Sequence, residues 1–261
     1  MFGRSKFGGA LAYLAAAFLL LPLIAVIPVS FTPKRFLSMP DGDWSLRHYS
    51  ALFEDGVWLS SIGTSISIAL AASVLATVLA TMFGLGLWFR RPRGGALLVG
   101  FALLPMVVPP VTSAIILYFL LAKLRLLDTM LGLVIGHAIM TLPFAVVAML
   151  SAFARLDRSL EMAARNLGAS TLQTIFLVVL PNLKAGMLSA WFLTFILSWE
   201  ESTVTLFTSG IEVVTLPKRI WDNLRLDVDP VVASISVVMV VITAAVIIAR
   251  ALARHRYATQ S

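Results

Sequence analysis

Apolar residues run along this chain in six long stretches separated by polar segments, at about Ala10–Ser30, Ser61–Phe89, Ala96–Ala122, Met130–Phe153, Gly186–Phe207 and Val231–Ala249. Each is near or above the roughly 20 apolar residues that a helix needs to cross the hydrocarbon core of a bilayer. The pattern predicts an all-α integral membrane protein of six transmembrane helices, organised as a single domain over residues 1–261. Arg4 and Lys6 precede the first run as they would in a signal peptide. That run is longer than a 7–15-residue signal core and no small-residue cleavage site follows it, so it reads as an uncleaved anchor.

The basic residues between the runs set the orientation. With the N-terminus inside, the cytoplasmic segments hold twelve Lys and Arg and the outside loops eight. Asp157 and Glu161 are the only inside acids, against nine outside. The excess of Lys and Arg on one side predicts that both termini are cytoplasmic. Composition agrees with this: 59% of residues are hydrophobic and 13% charged, where a soluble domain carries about 25% charged residues. The net charge of +7 sits in short clusters between apolar runs, which speaks for the bilayer as partner and against nucleic acid. There is no cysteine, and His48, His137 and His255 are scattered. No thiolate, metal site or catalytic set can be assembled from them.

The longest inside segment, Ala154–Ala185, has its own internal logic. Asp157 or Ser159 can cap a short helix through Met162, Ala163, Ala164 and Arg165. Gly168 suits the left-handed position past its end, and Ser170 with Gln173 fits a capping box for a second helix. Pro181 then sits where that helix must stop or kink. The product is a helix, a glycine turn and a second helix lying on the cytoplasmic face. Ala163 and Ala164 would let another surface come close, with Arg155, Arg158 and Arg165 offering it charge. A plain amphipathic connector resting on anionic head groups explains the same residues.

Glu161-Met162-Ala163-Ala164-Arg165-Asn166-Leu167-Gly168-Ala169-Ser170, followed by Val178-Val179-Leu180-Pro181, resembles the EAA loop of permeases of binding-protein-dependent ABC importers. The pattern there is E-A-A, three residues, G, nine residues, then I-x-L-P. Met162 stands where the motif has glutamate, and Glu161 comes one position early. The likeness extends from about Ser61 to Arg250. Leu104-Pro105-Met106-Val107-Val108-Pro109-Pro110, His137 with Leu142-Pro143-Phe144, and Ser198-Trp199-Glu200-Glu201 are similar to the spermidine/putrescine-type branch. The resemblance implies a permease fold with a cytoplasmic coupling helix. It makes Glu161, Met162, Ala163, Ala164, Arg165, Gly168, Ala169, Ser170 and Pro181 the ATPase-coupling residues. It also implies two ATP-binding subunits carrying ATP and Mg, a second permease subunit and a periplasmic solute-binding protein. No cofactor is expected on this chain, which has no G-x-x-x-x-G-K-[ST] phosphate loop.

Glu200 and Glu201 are the only acids within an apolar run. Each would cost roughly 2.5–3.5 kcal/mol at mid-bilayer, so they should face protein or a watery cavity. With Ser198 and Trp199 they are candidates for a path taken by a cationic solute. The alternative places them near the outer surface, solvated or bonded to Thr203 or Thr205. His137 reads as a hydrogen-bonded packing residue before a ligand, Gly63, Gly84 and Gly86 as close-packing positions, and Pro105, Pro109 and Pro110 as a kink. A rival reading of the whole chain is an ion-coupled carrier or channel using the two glutamates. Too few spans and no inverted repeat argue against it.

Overall fold

A computed structural model describes residues 6–226 and 229–258. Among these residues there are helices and loops and no strand. The chain divides into two compact units, residues 61–218 and residues 1–60 with 219–261.

The larger unit holds most of α3 (Gly56–Arg90), then α4 (Gly95–Val107), α5 (Pro110–Lys123), α6 (Met130–Ala154), α7 (Arg158–Asn166), α8 (Thr171–Thr174), α9 (Leu180–Trp199) and α10 (Thr203–Thr208). Helices α3, α6 and the continuous helix Thr171–Trp199 are long and apolar enough to cross a membrane. Their packing is close because the residues between them are small. Ala76, Ala80, Ala145, Ala152 and Ala190 share one core with Trp88, Met149, Phe153, Val179 and Leu183. A Cβ on Gly84 would lie 2.3 Å from the Phe153 ring, and one on Gly186 would lie 2.4 Å from Ala152 Cβ. Gly63 and Gly86 have open space beside them instead, so of the three glycines expected to allow close packing only Gly84 does so. Ser61, Ser65, Ala69, Ser73, Thr77 and Thr81, every fourth residue of α3, are all buried. Residues four apart lie on one face of a helix, and small or hydroxyl side chains there allow close approach.

The third expected span is broken rather than kinked. Helices α4 and α5 meet at 101°. A residue preceding proline is pushed out of the helical region, and here two such residues are consecutive. Val108, before Pro109, has ψ 134°, and Pro109, before Pro110, has ψ 137°. Two extended residues turn the chain, and Pro110 restarts it where a missing N–H is harmless. Pro105 and Pro143 stay inside α4 and α6.

The fifth expected span, Gly186–Phe207, is also displaced. Its helix starts at Thr171 and ends at Trp199. Pro181 does not stop it. A π-helical turn at Ile175–Val179 precedes α9, and Pro181 falls in the first turn of α9. A π turn widens the backbone ring by one residue, so the chain passes the proline without ending.

The smaller unit contains α1 (Lys6–Val29), α2 (Arg47–Glu54), most of α11 (Leu216–Leu226), and α12 (Val231–Ala258). α12 packs on α1 and α2. The apolar stretches Tyr13–Val29 and Val231–Ala244 occupy the first and sixth expected runs. Ser234 Oγ donates to the Ser30 carbonyl at 3.2 Å. Phe31 stacks near Trp44 and Tyr49, at 5.7 and 5.3 Å between centroids. Arg4 lies outside the described residues.

Candidate functional site

The segment between α6 and α9 is built from local hydrogen bonds. Asp157 caps α7 by accepting the Ser159 N–H at 2.9 Å. The Ser159 backbone and hydroxyl hold the Asp157 carboxyl below its ordinary range. At the other end Gly168 has φ +85°, the left-handed conformation expected. Its N–H reaches the Arg165 carbonyl at 2.9 Å, and the Ala169 N–H reaches Ala164 at 3.0 Å. These two bonds are the 5→2 and 6→1 pair of a Schellman cap. Ser170 and Gln173 then exchange both bonds of a capping box, at 2.8 and 3.3 Å. Helix, glycine turn and second helix start are therefore present, but α8 continues through the π turn into α9 and does not stay a separate surface helix.

Two of the three arginines expected to face a partner lie over aromatic rings of α3, Arg158 half-buried and Arg165 still exposed. The Arg158 guanidinium carbon sits 4.2 Å from the Trp88 ring centroid, and that of Arg165 5.8 Å from Phe89. Trp88 and Phe89 close the end of α3, and Trp88 also meets Phe153 at 5.9 Å. Arg165 pairs with Glu161 at 3.1 Å, one helical turn away. Ala164, expected on the approachable face, is buried. One residue along a helix is about 100° around it. Glu161 is accordingly half-buried against its own arginine, while Met162, 59% exposed, points away with Ala163, Leu160 and Leu167. Ala169 is half-buried, and Ser170 and Pro181 are exposed.

The acidic pair lies at the far end of the same helix. Helix α9 spans 20 residues, about 30 Å at 1.5 Å per residue. Glu200 is its C-cap and is exposed. Glu201 Oε1 accepts the Val204 N–H at 2.9 Å, fixing the start of α10. Both acids thus sit at a helix break, Glu200 just past the end of α9 and Glu201 at the start of α10. His137 closes that break from α6. Its Nδ1 lies 2.9 Å from Ser198 Oγ and 3.1 Å from the Ser198 carbonyl, and its Nε2 lies 3.0 Å from Thr205 Oγ1. Ser198, His137 and Thr205 are buried. Trp199 is half-buried beside them in sequence.

A family model described as "Binding-protein-dependent transport system inner membrane component" matches residues 76–256. The chain belongs to this family. It is a permease subunit of an ABC importer. It is 31% identical over 237 residues to the putrescine transport system permease protein PotI of Escherichia coli K12, covering 87% of this chain and 83% of that one. It is 27% identical over 240 residues to the spermidine/putrescine transport system permease protein PotC of Haemophilus influenzae, covering 92% and 93%. A solved chain from a bacterial ABC transporter involved in import of the acidic polysaccharide alginate superposes with a TM-score of 0.71 at 20% identity, over 98% of both chains. That likeness is one of fold.

Two features of this permease escaped the sequence. One is the Trp88–Arg158 seat of α7, which joins residues seventy apart with no local pattern. The other is Asp128. Its carboxylate accepts four consecutive backbone N–H groups, from Gly210, Ile211, Glu212 and Val213, at 2.7–3.0 Å. Partial burial pushes its pKa up, but the four N–H groups outweigh that and hold the carboxyl below its ordinary value. A Cβ on Gly210 would stand 2.4 Å from Asp128 Oδ2, so the cradle requires glycine there. Asp128 lies next to Thr129, the cap of α6, and an acid in such a loop reads in sequence as ordinary solvated turn chemistry.

Proposed function

We propose that this permease forms half of the passage of an ATP-driven importer for polyamines or related amine-bearing solutes, moved from periplasm to cytoplasm. The observation that carries this is the doubly capped α7, seated on α3 and joined through a glycine turn to the helix that runs to the acidic pair. A push on α7 would be transmitted along α9 over about 30 Å, the thickness of the hydrocarbon core. In this reading residues 154–185 are the coupling loop of a single permease domain, whose family core is about 61–250. Met162 and Ala163 meet the ATPase. Glu161, Ala164, Arg165, Gly168, Ala169 and Ser170 set the shape of the knob, and Pro181 lies where it enters the span. The chain crosses the inner membrane six times, with α4 and α5 as one broken span, and both termini are cytoplasmic. It hydrolyses nothing: ATP and Mg act on two partner subunits. A second, different permease and a periplasmic solute-binding protein complete the assembly.

The solute class is supported by the names of the 27–31% identical relatives and by Glu200 and Glu201 at one mouth of the bundle. There they would attract a cation, with Ser198 and Trp199 beside them. Uptake of labelled putrescine by the complete importer in proteoliposomes tests this. Glu200→Gln and Glu201→Gln should each raise the half-saturating concentration roughly fivefold, equivalent to about 1 kcal/mol of lost attraction. Wild-type uptake curves in both variants would remove the acidic path, and would leave the coupling role to its own test at Gly168.

A further inference from the structure

The smaller unit contains a cavity of about 610 Å³ lined by Arg35, Arg47, His48, Ser50, Glu54 and Asp229, with Ala51 and Val231 as its apolar wall. Its position is set by two apolar helices. α1 ends at Val29 and α12 begins at Val231, and Ser234 ties to Ser30 between them. In the six-span topology proposed above, this is where both helices leave the hydrocarbon, which puts the cavity at head-group level. The surrounding segment carries the side chains of that level: Phe36, Met39, Trp44 and Phe53 are exposed, as amphipathic and aromatic residues are at a membrane interface.

The lining combines both signs of charge on a fixed frame. Arg47 Nη1 donates to the Pro33 carbonyl at 2.9 Å, which orients the guanidinium fork. His48 is buried and its Nε2 lies 3.0 Å from the Lys34 carbonyl. A carbonyl only accepts, so Nε2 carries the proton. Lys34 itself pairs with Asp41. Asp229 Oδ1 accepts the Val231 N–H at 2.9 Å. Two guanidinium groups suit a phosphate, which they can grip with parallel N–H bonds, and two carboxylates suit an ammonium group. A simple anion would meet Glu54 and Asp229, and a diamine would meet both arginines.

We propose that this cavity binds the headgroup of a zwitterionic phospholipid carrying both a phosphate and an ammonium group. Arg35 and Arg47 hold the phosphate, Glu54 and Asp229 the ammonium, and the acyl chains continue along the apolar surfaces of α1 and α12. The assignment is independent of the solute that the importer carries.

Native mass spectrometry of the full chain in mild detergent, titrated with phosphatidylethanolamine or phosphatidylglycerol, tests it. Phosphatidylethanolamine should bind about tenfold tighter than phosphatidylglycerol, and Arg35→Gln with Arg47→Gln should weaken it by about tenfold or more. Glu54→Gln with Asp229→Asn should erase the preference between the two lipids while keeping phosphate-dependent binding. Arg93→Gln, outside the cavity, should change neither. Equal binding of the two lipids by the wild type would overturn the proposal. So would undiminished phosphatidylethanolamine binding in an arginine double variant of wild-type helicity. Displacement of the lipid by an equal concentration of soluble phosphoethanolamine would overturn the lipid assignment in favour of a soluble ligand.

Discussion

Arg158 lies with its guanidinium 4.2 Å from the centre of the Trp88 ring, and this contact fixes α7 to the end of α3. Trp88 is buried, so the cation stands over a ring shielded from water, where such a contact is worth about 0.5–2 kcal/mol. Arg158→Gln should therefore raise amide exchange across 158–166 by about two- to thirtyfold. Hydrogen–deuterium exchange on the assembled importer would show it. Unchanged protection would mean that α7 is held by other contacts.

Gly168 has open space around it and a left-handed backbone. A substitution there meets no neighbour, so its cost is conformational alone. Gly168→Val should destabilise the turn by about 1–2 kcal/mol, whereas Gly168→Asn should be nearly silent because asparagine tolerates that region. Equal effects of the two on α7 protection would indicate a steric role that the open surroundings do not support.

His137 joins the two sides of the break after Trp199. Replacement by Phe leaves the buried Ser198 hydroxyl without its partner, at about 1–3 kcal/mol, whereas the Thr205 hydroxyl keeps its bond to the Glu201 carbonyl. Thermal unfolding in detergent should fall clearly for His137→Phe and less for His137→Gln, which keeps a donor and an acceptor. A solute-binding histidine without this bridging role would instead alter uptake with no loss of stability.

The Asp128 clamp carries a pH signature. Its carboxyl is held below the ordinary value in the folded protein, so its contribution is present above the unfolded pKa of about 3.9 and is lost as pH falls through the lower folded value. Amide protection at 210–213 should stay flat from neutral pH down to about that unfolded value and collapse only below it. Asp128→Asn should show low protection at every pH, since the amide offers one acceptor oxygen to four N–H groups. A loss of protection near neutral pH in the wild type would contradict the clamp.

How far the sequence could be read depended on the range of the interaction. Asp157, Gly168 and Ser170 act within four residues, and their caps were legible because backbone geometry alone selects those residue types. The long apolar helices α3 and α6 were legible because a bilayer filters composition. The errors lie where two local rules compete or where distant residues meet. Pro181 signals a stop, yet the preceding π turn lets the helix continue. Val108 and Pro109 are each displaced by a following proline, and together they turn a kink into a 101° break. Glu200 and Glu201 fall in an apolar run that continues to Phe207, but the helix beneath it ends at Trp199. The Trp88–Arg158, His137–Ser198 and Asp128–Gly210 pairings join segments that no periodicity connects.

The most direct test of the account is the ratio of putrescine imported to ATP hydrolysed by the reconstituted importer, comparing the wild type with Gly168→Val. Hydrolysis should continue in the variant while import per ATP falls several-fold, because a loosened α7 no longer transmits the stroke. An unchanged ratio would contradict it, as would uptake by this chain alone on an ion gradient with no nucleotide present.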